Sequence, residues 1–187
     1  MNRRDAIKRT TLLLGGTLSA SAILGVMSGC QPEPVLNWTP TFFTTEEGNI
    51  VEQMAERILP RTDTPGATDA GVHTFIDAMM SGYYEEKDKL AFREALAKVD
   101  ADAKAEHGKA FTKLTAAQQD GLLKKYDTEA YGATAGDDHF FKTMKELTIL
   151  GFCTSEVGAT EFLKYDPVPG DYKGCIPYSE VGSAWAT

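Results

Sequence analysis

The chain has 187 residues, of which 42% are hydrophobic, and a net charge of −8. This length suits one domain with a single core after removal of an N-terminal leader. The acidity argues against nucleic acid as a partner, because phosphate contacts require clustered Lys and Arg. Cleavage after residue 29 would remove four cations and one anion, which would take the net charge of the mature chain to −11.

The first 29 residues have the layout of an export signal. A cationic head that contains Arg3 and Arg4 precedes an apolar run over residues 11–26. Glycines interrupt this run, and it is shorter than the roughly 20 strongly apolar residues of a bilayer-spanning helix, so a transmembrane anchor is the weaker interpretation. The arginine pair resembles a twin-arginine signal, which exports folded proteins; a general secretory signal is the alternative.

Cys30 is the predicted lipid-attachment site. Residues 27–30, Met-Ser-Gly-Cys, resemble a bacterial lipobox, and a polar segment containing proline follows. A free or buried cysteine is the alternative. Acyl chains contribute about 0.8 kcal/mol per buried CH₂, so a multiply acylated Cys30 would hold the protein on a periplasm-facing membrane or elsewhere in the cell envelope. The predicted organisation is an export signal (1–29), a lipidated tether (30–43) and a helical domain (44–187).

Cys153 and Cys175 are the remaining cysteines. In an oxidising compartment, such a pair predicts a disulfide. Closing a loop of this length would contribute roughly 3 kcal/mol. Pairing of one of them with another polypeptide is the alternative, and the sequence does not choose between the two.

The first half of the mature chain predicts two helices. The tether contains Trp38, Phe42 and Phe43, which indicates that its far end docks on another surface. Thr44 and Glu47 have capping-box spacing, so a helix is expected over 45–59. A loop of turn-forming residues over 60–67 follows, and then an apolar stripe at helical spacing predicts a helix over 69–84.

The second half predicts a helix over 86–106 that Gly108 ends, a short helix after the capping-box sequence 115–118, and a helix from Phe140 onward. A Gly-rich link, 131–136, precedes the last of these, which is expected to be the most buried. A tail rich in Pro and Gly begins near residue 165. Since no alternation supports a sheet, the predicted class is mainly α: a small irregular domain of about five to six helices with a long coil tether and an irregular tail. The apolar residues expected to bury the last helix are Phe140, Phe141, Met144, Leu147, Ile149 and Leu150.

The mature chain lacks the motifs of a self-sufficient enzyme, such as G-x-G-x-x-G, C-x-x-C-H or H-E-x-x-H. His73, His107 and His139 have no second His or Cys at ligand spacing. His73 is the best candidate for acid-base or metal chemistry, together with Asp63 or Asp69. A histidine at the edge of a helix, in contact with loop backbone or a partner, is the favoured interpretation.

Two other fragments have structural interpretations that are favoured over functional ones. Asp137-Asp138-His139 could be part of a metal site, but acidic residues before a helix also suit the helix dipole. Glu156 could be a functional carboxylate, but Ser155 beside it predicts the N-terminal cap of another helical segment.

Several segments resemble the gluconate 2-dehydrogenase subunit 3 family. The most specific is the run Ile-Leu-Pro-Arg-Thr-Asp-Thr-Pro-Gly-Ala at 58–67, which is followed by a matching segment at 70–77. The resemblance covers about residues 45 to 178. The other similar segments are 140–141, 147–152, 155–158 and 165–170.

The resemblance implies an accessory, non-catalytic subunit of a membrane-associated sugar or polyol dehydrogenase. The large partner would be a glucose-methanol-choline type oxidoreductase that carries FAD, and a cytochrome c subunit with haem c would accept the electrons. No cofactor is expected in this chain, whose signal would export the folded complex. The implied docking residues are Pro60, Arg61, Thr62, Asp63, Thr64, Pro65, Gly66 and His73.

Two other functions fit parts of the sequence. One is a stand-alone surface lipoprotein that binds carbohydrate or peptide through exposed aromatic side chains. The other is an enzyme that uses His73 with Asp63 or Asp69. The aromatic residues available for the first are Trp38, Tyr83, Tyr84, Tyr172, Tyr178 and Trp185.

Overall fold

Helices make up nearly all the regular structure in the computed structural model. The model describes residues 36–132, 139–168, 170, 171 and 173–186, which lie within one unit, Leu36–Thr187. Across these ranges there is no strand, and only an isolated bridge joins Lys164 to Trp185. The predicted mainly α class is confirmed. The elements are α1 (Thr45–Ile58), α2 (Val72–Gly82), α3 (Glu86–His107), a 3-10 turn (Phe111–Lys113), α4 (Ala116–Tyr131), α5 (Phe140–Cys153), a π-helical turn (Gly158–Phe162) and α6 (Tyr178–Val181).

Some predictions fall on residues outside these ranges. They concern the export signal with Arg3 and Arg4, the lipid-attachment site Cys30, and residues 133–138 of the Gly-rich link and its acidic end. All of them remain predictions. Tyr131, predicted to begin that link, instead ends α4. In the part of the chain that the structure describes, no helix is both long and apolar enough to cross a membrane.

Capping boxes begin α1 and α4, as predicted. The Thr44 hydroxyl accepts from the Glu47 amide at 3.2 Å, and the Glu47 carboxylate accepts from the Thr44 amide at 2.9 Å. Thr115 and Gln118 make the same reciprocal pair at the start of α4. Each such cap stabilises its helix by about 1 kcal/mol. α1 ends at Ile58 because the residue before a proline, here Leu59, is disfavoured in helical conformation.

α2 begins three residues later than predicted, and α4 is longer than predicted. Residues 67–71 form turns that end at Gly71, whose φ of 66° lies in the left-handed region and interrupts any helix from Asp69. α4 spans 16 residues, whereas a short helix was expected. Its length follows from buried apolar side chains that continue from Leu122 as far as Ala130.

The core lies around α1, which packs against α2, α3, α4 and α5. Burying each large apolar side chain contributes about 1.5–3 kcal/mol. The Tyr126 hydroxyl enters this core and donates to Asp102 at 2.6 Å; burial and this hydrogen bond raise the pKa of Tyr126. The largest fully buried apolar side chains are Met54, Ile76, Met80, Leu96, Phe111, Leu122, Tyr126 and Met144.

α5 is less uniformly buried than its composition predicted. Ile149 and Leu150 are 45% and 48% exposed, although both were expected in the core. The buried side of α5 carries Met144, Leu147, Thr148, Gly151 and Phe152, and helical spacing places Ile149 and Leu150 on the opposite side. The tail after the π-helical turn is mostly exposed, as expected of its composition, although α6 provides one helical turn there.

Candidate partner-binding site

The proline loop, residues 59–68, is held by the side chain of Glu56 on α1. Its carboxylate accepts from the amides of Arg61 and Thr68 at 2.9 and 3.0 Å, and it also bonds the Thr68 hydroxyl. Asp69 accepts from the Gly66 amide at 2.9 Å and forms an ion pair with Arg61 at 2.8 Å. These bonds satisfy main-chain donors that a loop leaves unpaired. The loop therefore has a defined shape without a partner.

Gly66 is buried where the loop returns to α1. A Cβ atom built there would lie 2.6 Å from the Arg61 amide nitrogen and 2.7 Å from a Glu56 carboxylate oxygen. The glycine in the motif is therefore required for the approach of the loop to Glu56.

Gly66→Ala is expected to lower the free energy of unfolding by about 1–3 kcal/mol, because the methyl group must displace the Arg61 backbone or the Glu56 carboxylate. Urea denaturation followed by circular dichroism measures the change. Gly170→Ala is the matched control, since its added Cβ meets nothing within 4 Å. Equal stability of the two variants would contradict the close approach.

The loop presents its first half to solvent. Pro60, Arg61, Thr62 and Asp63 are exposed, whereas Gly66 is buried. The predicted docking residues therefore divide into an exposed tip, defined as residues 60–63, and a supporting base.

Asp77 holds the end of the tether on α2. Its carboxylate is 4% exposed and accepts three main-chain amides: Thr41 at 2.8 Å, Phe42 at 3.0 Å and Phe43 at 3.0 Å. The Phe43 ring is buried and lies 6.0 Å from the Phe92 ring. The prediction that the far end of the tether docks is confirmed.

His73 lies beneath the tether, not at the exposed tip. Its ring is 9% exposed and its centroid is 5.1 Å from that of Trp38. Both Nδ1 of His73 and Nε1 of Trp38 are buried without a hydrogen-bond partner. Burial lowers the pKa of His73, and the nearby Glu52 opposes this shift. A ring so covered has almost no surface to offer a partner, so we leave His73 out of the proposed docking surface.

The free energy of unfolding is expected to decrease when the pH falls below about 6.5, the ordinary pKa of histidine. As the pH falls, the unfolded chain protonates before the native state does, because the pKa of His73 is lowered by folding. The loss approaches about 1.4 kcal/mol per pH unit down to the native pKa.

His73→Phe is expected to reduce this loss, which urea denaturation at pH 7.5 and 5.5 measures. His107→Gln removes a half-buried histidine elsewhere and serves as the control. If the wild type and His73→Phe lost equal stability between the two pH values, His73 would not be the group responsible.

Ser155 and Gly158 shape the segment after α5. The Ser155 hydroxyl donates to the Phe152 carbonyl at 2.7 Å and accepts from the Gly158 amide at 2.9 Å. Ser155 thus caps the following helical turn, as the sequence predicted. Glu156 is exposed, and His139 caps α5 by accepting from the Phe141 amide at 3.3 Å.

Cys153 and Cys175 are free thiols in the structure, half-buried and exposed respectively. Pairing of the two with each other and pairing with another chain both stay predictions. Among the described residues, no group of three or more His, Cys, Asp or Glu side chains could hold a metal ion.

A surface groove between α1, α4 and α5 contains two ion pairs. Arg57 contacts Asp120 at 2.7 Å, and Lys145 contacts Asp127 at 2.6 Å. Arg57 and Lys145 thus already have carboxylate partners, and these pairs fasten the helices around the groove. The apolar side chains lining it are Ile58, Pro60, Leu123 and Phe141.

Glu56 and Asp77 are the two organising residues that the sequence analysis missed. Nothing in the sequence distinguishes Glu56 from a solvated helical glutamate. The sequence gives a weak indication that Asp77 is buried, since it lies directly after Ile76 within the apolar stripe of α2. Both carboxylates hold main-chain segments in place. The protein therefore belongs to the class of small helical domains in which side chains hold surface segments in a fixed conformation.

The chain belongs to the gluconate 2-dehydrogenase subunit 3 family. Residues 45–170, about two thirds of the chain, match the sequence profile of this family, which confirms the resemblance. No curated protein and no solved structure matches the chain. The family is named for one subunit of a dehydrogenase, so membership supports association with other subunits of such an oxidoreductase.

Proposed function

We propose that this chain is the non-catalytic small subunit of an FAD-dependent sugar or polyol dehydrogenase complex. The family match carries this proposal, and the self-supporting proline loop with its exposed tip fits a role in binding. Hydride transfer would occur at the flavin of a large subunit of glucose-methanol-choline type. Electrons would then pass to the haem c of a cytochrome subunit, and this chain would contribute binding surface only.

The exposed tip of the loop is the proposed contact with the large subunit. Its shape is set in advance by Glu56 and Asp69, so little conformational entropy is lost when a partner binds. The half-buried Thr64 and Pro65 and the buried Gly66 would support it from behind.

Export and anchoring of the complex are also part of the proposal. A twin-arginine signal at Arg3 and Arg4 would carry the folded assembly across the membrane, and acylated Cys30 would retain it there in the cell envelope. The ten residues 31–40 separate Cys30 from the segment clamped by Asp77. They span at most about 36 Å, which would keep the large subunit near the membrane surface.

Affinity purification of the tagged chain from its native membranes in mild detergent tests the proposal. The expected result is a stoichiometric larger chain with a flavin absorbance spectrum. A colourless chain recovered alone would contradict it and favour the surface lipoprotein that binds carbohydrate or peptide. Cys30→Ser is the matched variant for anchoring, and it should move the same flavin-containing complex into the soluble fraction.

A further inference from the structure

The C-terminal half of α5 and the following π-helical turn form an apolar surface, which we call the α5 face. It consists of Ile149, Leu150, Phe162 and Tyr165, which are 45%, 48%, 49% and 48% exposed. Ile149 lies one helical turn from Phe152, whose ring packs edge to face against Phe162 with centroids 5.4 Å apart. Ile149 and Phe162 therefore flank one buried ring, Leu150 follows Ile149 directly in the chain, and Tyr165 lies shortly after Phe162. Contiguous exposed apolar surface of this kind marks an interaction site.

The orientation of α5 is fixed by its packing on α2. A Cβ added at Gly151 would lie 2.6 Å from the Phe75 ring, so the two helices approach closely at this residue. Leu147 and Met144 are buried on the same side. Rotation of α5 to cover Ile149 and Leu150 would expose these core residues, so the packing of α5 keeps the α5 face turned away from the described helices.

Unpaired carboxylates border the α5 face. Glu146, Glu156 and Glu161 are all exposed, and none forms an ion pair with another residue in the described ranges. The cations near them in sequence are already engaged. Lys145, next to Glu146, contacts Asp127 at 2.6 Å, and Lys164 lies over the Trp185 ring at 4.1 Å from its centroid.

The charge of this border decides which partner fits. In a symmetric dimer, the same surface of each copy meets the other, so this acidic border would meet an equally acidic border. An anionic lipid surface would repel them as well. A protein surface with an apolar centre and a border of Lys and Arg would match both the apolar side chains and the carboxylates of the α5 face.

We propose that the α5 face binds the large flavin-containing subunit at a contact of this chemistry. The inference rests on the proposed function and adds a second docking surface to the exposed tip of the proline loop. It also assigns a role to Ile149 and Leu150, which the sequence analysis had placed in the core. Since Ile149 and Leu150 are nearly half exposed, polar substitutions there need not disturb the fold.

The test is mild-detergent purification of full-length tagged Ile149→Asp/Leu150→Asp from native membranes, with recovered flavin measured per chain. Flavin recovery is expected to fall about tenfold or more relative to wild type, because two apolar contacts are lost at the centre of an interface. Leu90→Asp is the matched control, since this leucine is 59% exposed on α3 and should leave recovery unchanged. Wild-type recovery of flavin with the double variant would overturn the inference.

The remaining outcomes separate this inference from the proposed function. If the wild-type chain itself recovers no flavin, the proposed function fails, and the inference falls with it. If gel filtration shows a wild-type dimer that the double variant converts to a monomer, the occupant is a second copy and the inference is overturned. Glu146→Lys/Glu156→Lys/Glu161→Lys should also reduce flavin recovery several-fold; unchanged recovery would overturn the proposed charge complementarity.

Discussion

Asp77→Ala is expected to lower the free energy of unfolding by about 2–4 kcal/mol, and its effect should be among the largest of any single substitution. The carboxylate accepts the amides of Thr41, Phe42 and Phe43, and removing it leaves three main-chain donors without an acceptor in a region that water reaches poorly. Hydrogen bonds to a charged acceptor are also about twice as strong as neutral ones. Urea denaturation followed by circular dichroism measures the loss.

Asp77→Asn should give an intermediate loss, because the amide keeps one acceptor oxygen but turns a donor towards a main-chain donor. Asp88→Ala removes an exposed aspartate from the first turn of α3 and should cost under about 1 kcal/mol. Limited proteolysis within residues 36–44 should be faster in Asp77→Ala than in either comparison variant. Equal stability of Asp77→Ala and Asp88→Ala would show that Asp77 does not hold the tether.

Gly158→Ala is expected to destabilise the chain by about 3 kcal/mol. A Cβ atom at Gly158 would overlap the carbonyl oxygen of Phe152, which is backbone and cannot turn aside. The π-helical turn would have to move, and with it the Phe162 ring that packs on Phe152. Thermal and urea denaturation measure the loss.

Gly121→Ala makes the same chemical change in the exposed interior of α4, where the added methyl group meets nothing within 4 Å. This control should stabilise the chain by about 0.5–1 kcal/mol, because alanine has the higher helix propensity. The two variants are thus expected to differ in sign. A stabilised Gly158→Ala would contradict the described path of the chain after α5.

Local signals in the sequence predicted the helices well. The capping boxes at Thr44 and Thr115 and the termination of α3 at Gly108 are interactions among residues close in the chain, so their geometry can be inferred from spacing. The start of α2 was placed too early because the left-handed conformation of Gly71 depends on how residues 67–70 turn. That turn is held by contacts with Leu59 and Glu56, which precede it by several residues.

The proline motif shows which features the sequence reveals and which depend on tertiary contacts. Its Pro and Gly residues predicted a loop, and its full pattern identified the family, which residues 45–170 confirm. The conformation of the loop depends on the Glu56 carboxylate, in the last turn of α1. A hydrogen bond that a loop amide donates to a helical side chain has no fixed spacing, so the motif alone could not reveal it.

The sequence by itself determined the helical class, the main caps, the docking of the tether's aromatic end and the family. It could not determine which side of each helix the others would cover, because apolar periodicity does not identify the neighbouring element. Only the tertiary structure buried His73 beneath Trp38, placed Asp77 under three tether amides, and left Ile149 and Leu150 exposed. Each of these outcomes depends on contacts between segments distant in the chain, where packing overrides local preference.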